Sequence, residues 1–548
     1  MAFGGGIALC GAQPLAHLTD NASDSTDRKQ SKADIVIYGG TSGGFTAAIQ
    51  AARQHKKVVL LEPTRHIGGI VTNGLGGTDI DNHPGFQNSL AVGGLALEFY
   101  RRIAKRYDRL ESFEHAVAHR KKDRTLWRFE PHIAETVLLE WLAEYPIELR
   151  FKTLLLEELQ AVEKSEGRIT AIHTTTGKYS GKVFIDATIE GDLIAAAGIS
   201  TRIGREPNAL YGEKRNGIMG YTTHSQFKVA VDPYVVPSNK ESGLIPTIRP
   251  EPLGTPGLGD KNIQAYCFRP CLTQDPENKI PFKKPAAYQR DQYEIYLRYL
   301  SAGGKLFRPW KSLPGGKSDL NGGGDLSHNL YGMNDAYPGG SYAIRKEVMQ
   351  FHKDFTQGLL YFLSHDPEVK KLDPELQKQW ASWGLAKDEF TDNDNWPEQF
   401  YVRDARRMVS DYVITEANAQ KGADKDADDP VAMAFWPPDL HNVRRIVIKG
   451  EAYNEGAVFG GDWWKPFGIS YRALVPKRPE CLNLLTPTCP SSSHIAYGAI
   501  RIEWTFMALG QAVGSAAAWA IEHHKSVQQV DYKALSTRLI ADHQILTL

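Results

Sequence analysis

Asp34-Ile35-Val36-Ile37-Tyr38 runs directly into Gly39-Gly40-Thr41-Ser42-Gly43-Gly44, and this stretch decides the fold. Its first five residues are β-branched and apolar, the composition of a buried parallel strand. Phe45 to Ala52 read as a helix of small residues, and Lys57-Val58-Val59-Leu60-Leu61 as a second strand that ends on Glu62. Strand, glycine-rich turn, helix, strand and acid, in this order and within about 30 residues, make a dinucleotide-binding fingerprint. Gly39 permits the tight turn, Gly44 lets the helix pack closely on the sheet, and Gly40, Ser42 and Gly43 complete the turn. Thr41 takes the place of the second glycine, where its hydroxyl is expected to donate to a phosphate. The helix N-terminus offers free N–H groups and the positive end of its dipole to a pyrophosphate. The Glu62 carboxylate is placed to accept from ribose hydroxyls, and an acid there argues against a 2′-phosphate, hence against NADP.

The residues after Glu62 favour FAD over NAD. Pro63-Thr64-Arg65-His66-Ile67-Gly68-Gly69 leads into a stretch from Ile70 to Asp81 rich in Gly, Thr and Asn. Adjacent glycines there let the backbone approach a long flat cofactor.

Composition narrows the function from the other side. At 548 residues the chain exceeds one ordinary core, so a second substantial domain is expected. Lys plus Arg and Asp plus Glu each number 64, which leaves no basic excess to attract nucleic acid or an anionic membrane. The five cysteines are odd in number and lack a CxxC pair, so neither a disulfide framework nor a metal site is expected. Thr505 to Ile521 is apolar but interrupted by Gln511 and two glycines, and it is too short for a membrane span. Ala2 to Leu18 is apolar and Gly/Ala-rich, like the hydrophobic part of a signal peptide, with Ala16 at a cleavage position. No Lys or Arg precedes Arg28, so the basic start of such a peptide is missing. Export is the expectation, and a flexible tail on a cytoplasmic protein is the alternative.

Further blocks follow in order: YGGTSGG from Tyr38, HIGG from His66, FEPHIAE from Phe129, FIDATIEGDLIAAAG from Phe184 and GREPNALYGE from Gly204. QAYCFRPCLT begins at Gln264, YGMNDAYP at Tyr331, WGLAKDEF at Trp383 and HNVRR at His441, and a last block runs from Ile469 to Ala520. Through them the sequence resembles a large family of FAD-dependent oxidoreductases that begin with a YGGTxxG turn, some of whose members carry a xanthan lyase label. The resemblance covers nearly everything from Ala33 onward. It implies bound FAD, redox chemistry on a small organic molecule and, through that label alone, a sugar or other polyhydroxylated substrate.

The fold class expected is α/β: a Rossmann-like, glutathione-reductase-like FAD domain carrying a large inserted α+β substrate domain. Residues 1–32 are the tail, 33–204 and 456–548 the FAD domain, and 205–455 the substrate domain. Lys182 to Thr188 read as a strand whose Asp186, Ala187 and Thr188 close the nucleotide side. Asn483 to Leu485 read as a last short strand. A helix from about Ile500 to Glu522 carries small residues, Gly510 among them, which would admit either a ring system or a neighbouring backbone. Helices are also expected over Tyr288–Leu300, Arg345–Leu363 and Glu398–Glu416.

Flavin would supply the redox chemistry, and the protein must position the substrate and move a proton. His494, just before the small-residue helix, is the candidate base, since imidazole titrates nearest neutrality; holding the turn by hydrogen bonds is its other reading. Arg501 would bind flavin or substrate oxygens or pair with an acid, and the family resemblance makes the loop pair His441-Asn442 a candidate for the substrate side. Arg269, Asn334 and Tyr337 are candidate substrate contacts. A lyase that uses flavin without net redox change, and a binding protein without turnover, are the alternatives.

Overall fold

The computed structural model describes residues 29–157, 161–222 and 224–548. The signal-like stretch from Ala2 to Leu18, and Cys10 within it, lie outside the described residues. Strand β1 is Ile35–Tyr38, helix α1 Ser42–Arg53 and strand β2 Val58–Leu61. With β3 (Ile147–Arg150), β4 (Val183–Asp186) and β5 (Leu484–Leu485) they form a five-stranded sheet in the order β5-β4-β1-β2-β3. Every pairing in it is parallel, Ile35 lying opposite both Val58 and Val183. All residues of β1, β2 and β4 are buried, which explains why these strands read as continuous apolar runs rather than alternating ones.

The turn after β1 sits as its glycines require. Gly39 has φ of +100°, and a Cβ on it would lie 2.6 Å from the Thr188 nitrogen. A Cβ on Gly44 would lie 2.0 Å from the Gly39 carbonyl oxygen, so α1 rests directly on the turn. On its other face α1 packs along α4 (Glu503–Glu522), which follows the short helix α3 (His494–Ile500). The helix expected from Ile500 to Glu522 is thus broken at Arg501 and Ile502, where Ile502 turns extended with ψ of 137°. The break makes a fresh helix N-terminus at Glu503.

Two large cores divide the described residues. One combines the parallel sheet with α1, α4 and the aromatic layer of Phe99, Trp127, Phe129 and Trp141. The other gathers residues from Val231 to Ala405, with Ala452, around Tyr293, Phe362 and Trp380, and the long helix α2 (Tyr342–His365) lies along it. The expected boundary at 455 is not where the cores part, because Ile414 and Val431 to Trp436 belong to the first core. There Pro430–Ala434 pairs with Phe467–Ser470, ahead of and behind that boundary. The helix expected over Glu398–Glu416 is also absent. Its residues run extended, Arg407–Met408 pairing with Thr201–Arg202. Arg403, Asp404 and Arg407 are all buried, so the charges that read as a solvated helix face are internal.

Two ion clusters tie the cores together. Arg345 makes a fork to Asp192 at 2.7 and 2.6 Å. Lys317 sets its Nζ 2.7, 2.6 and 2.9 Å from Glu130, Asp388 and Glu389, so this acid cluster already holds its cation. No described helix is long and apolar enough to cross a membrane.

Candidate active site

A cavity of about 370 Å³ lies at the carboxyl ends of β1, β2 and β4, the place where open parallel sheets bind ligands. Gly39, Thr41, Glu62, Pro63 and Thr188 line one side. The second core closes the other side with Trp396 to Arg403 and with Tyr342 to Lys353 of its long helix. The inner wall is Tyr401, Arg403, Arg501, Glu503 and Phe506. The cavity therefore begins at the glycine turn and ends where α4 starts.

Glu62 is buried and uses both oxygens on backbone: Oε2 accepts from Gly40 N–H at 2.6 Å and Oε1 from Thr64 N–H at 2.7 Å. Burial, opposed by these hydrogen bonds, pushes its carboxyl up to about 7. Gly68 continues the frame, its N–H donating to the Gly40 carbonyl at 2.7 Å, while Gly69 lies against Thr41. Thr41 and Ser42 depart from expectation. The Thr41 hydroxyl donates to the Ala187 carbonyl at 2.6 Å and the Ser42 hydroxyl to Glu503 at 2.5 Å, so both hydroxyl protons are engaged within the protein.

Asp186 is structural: it accepts from the Thr188 hydroxyl at 2.7 Å and from Ile194 N–H at 2.8 Å, and so fixes the loop that carries Thr188 to the cavity. Gly510 faces a neighbouring backbone rather than a ring, since a Cβ on it would lie 2.2 Å from the Gly43 carbonyl oxygen. His66 points away from the cavity into acids, 2.9 Å from Glu135 and 3.3 Å from Asp392.

The candidate catalytic and substrate residues separate. Arg501 lines the cavity; its Nη1 donates to the Tyr401 hydroxyl at 3.1 Å and its Nη2 to the Asp439 carbonyl at 2.8 Å. Tyr337 also lines it, but at the Glu62 end, donating to Glu190 at 3.1 Å. Asn334 lies behind the wall, its amide donating to the Gln264 carbonyl at 2.9 Å, and Arg269 is paired with Asp319 at 2.5 Å. His494 is buried behind the inner wall, which Tyr497 on the next turn reaches instead. Its Nδ1 stands 2.9 Å from Asp404, out of hydrogen-bond alignment, and its Nε2 has no partner among the described residues.

His441 sits among cations. Burial, then Arg403, Arg501, His224 and Arg269, hold its pKa well below the ordinary imidazole value, so it is neutral. Its tautomer follows from its neighbours. Arg403 donates to Asn329 Oδ1 at 3.2 Å, which turns the Asn329 amide nitrogen toward His441 Nδ1 at 3.4 Å and leaves the ring proton on Nε2.

Sequence reasoning missed Tyr401, Arg403, Glu503 and Asp79. Asp79 lies in a small recess off the inner wall shared with Tyr401, Arg501 and Trp504. Burial raises its carboxyl to about 6, against the pull of Arg269 and Arg501. The only signal for it was an acid within the glycine-rich Ile70–Asp81 stretch.

The residues present fit FAD. Gly39 and Thr41 bring the turn at the start of α1 to the cavity wall, Glu62 stands beside them, and the start of α4 stands at the other end. A model of the family described as FAD dependent oxidoreductase matches residues 34–539. A thioredoxin reductase from Mycolicibacterium smegmatis is 36% identical over 61 residues, 11% of this chain and 18% of the reductase's length. Among solved structures, L-proline dehydrogenase from P. horikoshii is 18% identical, with 33% of this chain and 59% of that chain covered and a TM-score of 0.23. L-α-glycerophosphate oxidase from Mycoplasma pneumoniae, with FAD bound, is 13% identical, covering 32% and 59% with a TM-score of 0.22.

Proposed function

The chain belongs to the FAD-dependent oxidoreductase family, and on that footing we propose that it oxidises a C–H bond of a small hydroxylated organic molecule held against Tyr401 and Arg501. One observation carries the reading: the cavity that begins at the dinucleotide turn ends on an inner wall of Tyr401, Arg403 and Arg501, and the acid Asp79 lies in a recess that shares Tyr401 and Arg501 with it. FAD, when bound, supplies the hydride acceptor. Gly39 to Gly44 and Glu62 hold the nucleotide half, and Glu503, anchored by Ser42, faces the cavity where α4 begins. Asp79, whose carboxyl burial raises to about 6, takes the hydroxyl proton. Phe268, Trp396 and Phe400 of the second core exclude water.

The test follows the visible flavin band anaerobically while sugars, polyols and hydroxy acids are added one at a time. Bleaching by one class, lost in Asp79→Asn with flavin content unchanged, supports the reading. Turnover of a compound with no bleaching under single-turnover conditions refutes it in favour of a non-redox reaction.

A further inference from the structure

Three guanidinium groups converge on one ring. Arg269 and Arg403 lie with Cζ 5.5 and 4.6 Å from the centroid of Tyr401, and Arg501 donates to its hydroxyl. All three arginines are buried, and the Nε of each has no partner among the described residues. Buried donors of this kind are seldom left unpaired, least of all charged ones. Their counter-charges are unequal. Arg269 has Asp319 at 2.5 Å and Arg501 has Asp439 at 3.5 Å. Arg403 has no carboxylate in ion-pair range among the described residues. It is held by the carbonyls of Ala265 and Gly322, by Asn329 Oδ1 and by the sulfur of Cys267, 3.5 Å away. Its field, with those of His328 and Arg269, overcomes burial and pulls the Cys267 thiol down to about 6.

We infer that the substrate carries a carboxylate, and that Arg403, with Arg501 beside it, receives this group at the inner wall of the cavity; the inference rests on the oxidoreductase reading above. Both side chains line the cavity, whereas Arg269 lies behind Tyr401 and holds the ring. One guanidinium without a carboxylate calls for a monoanion, so a carboxylate fits better than a dianionic phosphate. With their Nη groups already engaged, Arg403 and Arg501 each keep one unpartnered Nε–H, two charged donors for the two oxygens of one carboxylate.

The experiment uses the FAD-loaded protein in its resting oxidised state. Benzoate and propionate are titrated against benzamide and propionamide, with inorganic phosphate as a further arm. Binding is read from the perturbed flavin spectrum and from calorimetry. The expected result is saturable binding of the carboxylates and none of the amides. Arg403→Met should weaken carboxylate binding about 30-fold or more at unchanged flavin content, the loss usual for one partner of a buried charge pair. Arg403→Lys, which keeps the charge but loses the Nε–H, should fall between. Equal binding of acid and amide, no binding of either, phosphate binding as tight as carboxylate, or flavin lost with Arg403→Met would each overturn the assignment. Because no turnover is needed, failure of the anaerobic oxidation test leaves this result standing, and the reverse also holds.

Discussion

Gly44→Ala puts the cofactor frame under a load that the structure allows to be worked out. The added Cβ would lie 2.0 Å from the Gly39 carbonyl oxygen, 3.0 Å from its carbonyl carbon and 3.2 Å from the Ala187 Cβ. Ordinary contact begins at 3.4 Å, so α1 or the turn must retreat by more than 1 Å. The far side gives no room, because a Cβ on Gly510 already measures the gap there at 2.2 Å from the Gly43 oxygen. Overpacking of this kind costs roughly 1–3 kcal/mol, and it displaces the very N–H groups that face the pyrophosphate. The expected variant melts below the parent in its apo form and purifies with little flavin. Gly323→Ala is the control, since its Cβ would meet nothing within 4 Å and its φ lies outside the strained range. The assay is the ratio of flavin to protein absorbance beside apo thermal midpoints. Should Gly44→Ala keep full flavin and the parent's midpoint, the helix does not rest on the turn as described.

Three other predictions are independent of it. Lys317→Met leaves Glu130, Asp388 and Glu389 without their shared cation and should cost about 3–5 kcal/mol, seen in denaturant unfolding. The Glu62 carboxyl, raised to about 7 by burial, keeps its proton in the folded protein after the unfolded chain has lost it. Its stabilising contribution is therefore full below the unfolded value of 4.5 and is lost as pH rises through about 7. The apo parent should accordingly lose more of its midpoint than Glu62→Gln between pH 5 and 7.5, and parallel curves would contradict the burial described. His441 should titrate below the ordinary imidazole range by NMR, and its titration should move upward in Arg403→Met as one of the cations around it is removed.

How much of this was legible in the sequence depends on the distance along the chain over which the information is held. The frame from Asp34 to Glu62 is local: its strands, glycines and acid occur in reading order, and their periodicity survives because both faces of the sheet are buried. Asp186, Thr188 and the α4 helix were readable for the same reason. The inner wall was not. Tyr401 meets Arg501 across 100 positions, and Arg65 meets Glu398 across 333. No short pattern marks such contacts, and buried arginines and an aspartate between Tyr401 and Arg407 imitate the charged face of a surface helix. His494 shows the same limit: it lies one helical turn from Tyr497, which lines the cavity, and the sequence does not say which of the two the turn brings to the wall.

The sheet also bears on how the protein is made. Its fifth strand, Leu484–Leu485, and the helix that covers α1, which starts at Glu503, are synthesised 440 and 459 positions after Gly44 of the turn they complete. Until they leave the ribosome, the groove-shaped side of α1 formed by Gly43, Thr46 and Ala47 has no cover, and β4 is an open sheet edge. A nascent chain in that state has a sticky, strand-accepting surface for the whole time the second core is being translated. Truncations that stop before residue 484 should aggregate rather than fold into a smaller nucleotide-binding unit, and expression should depend on chaperones that hold the first segment until the last one arrives.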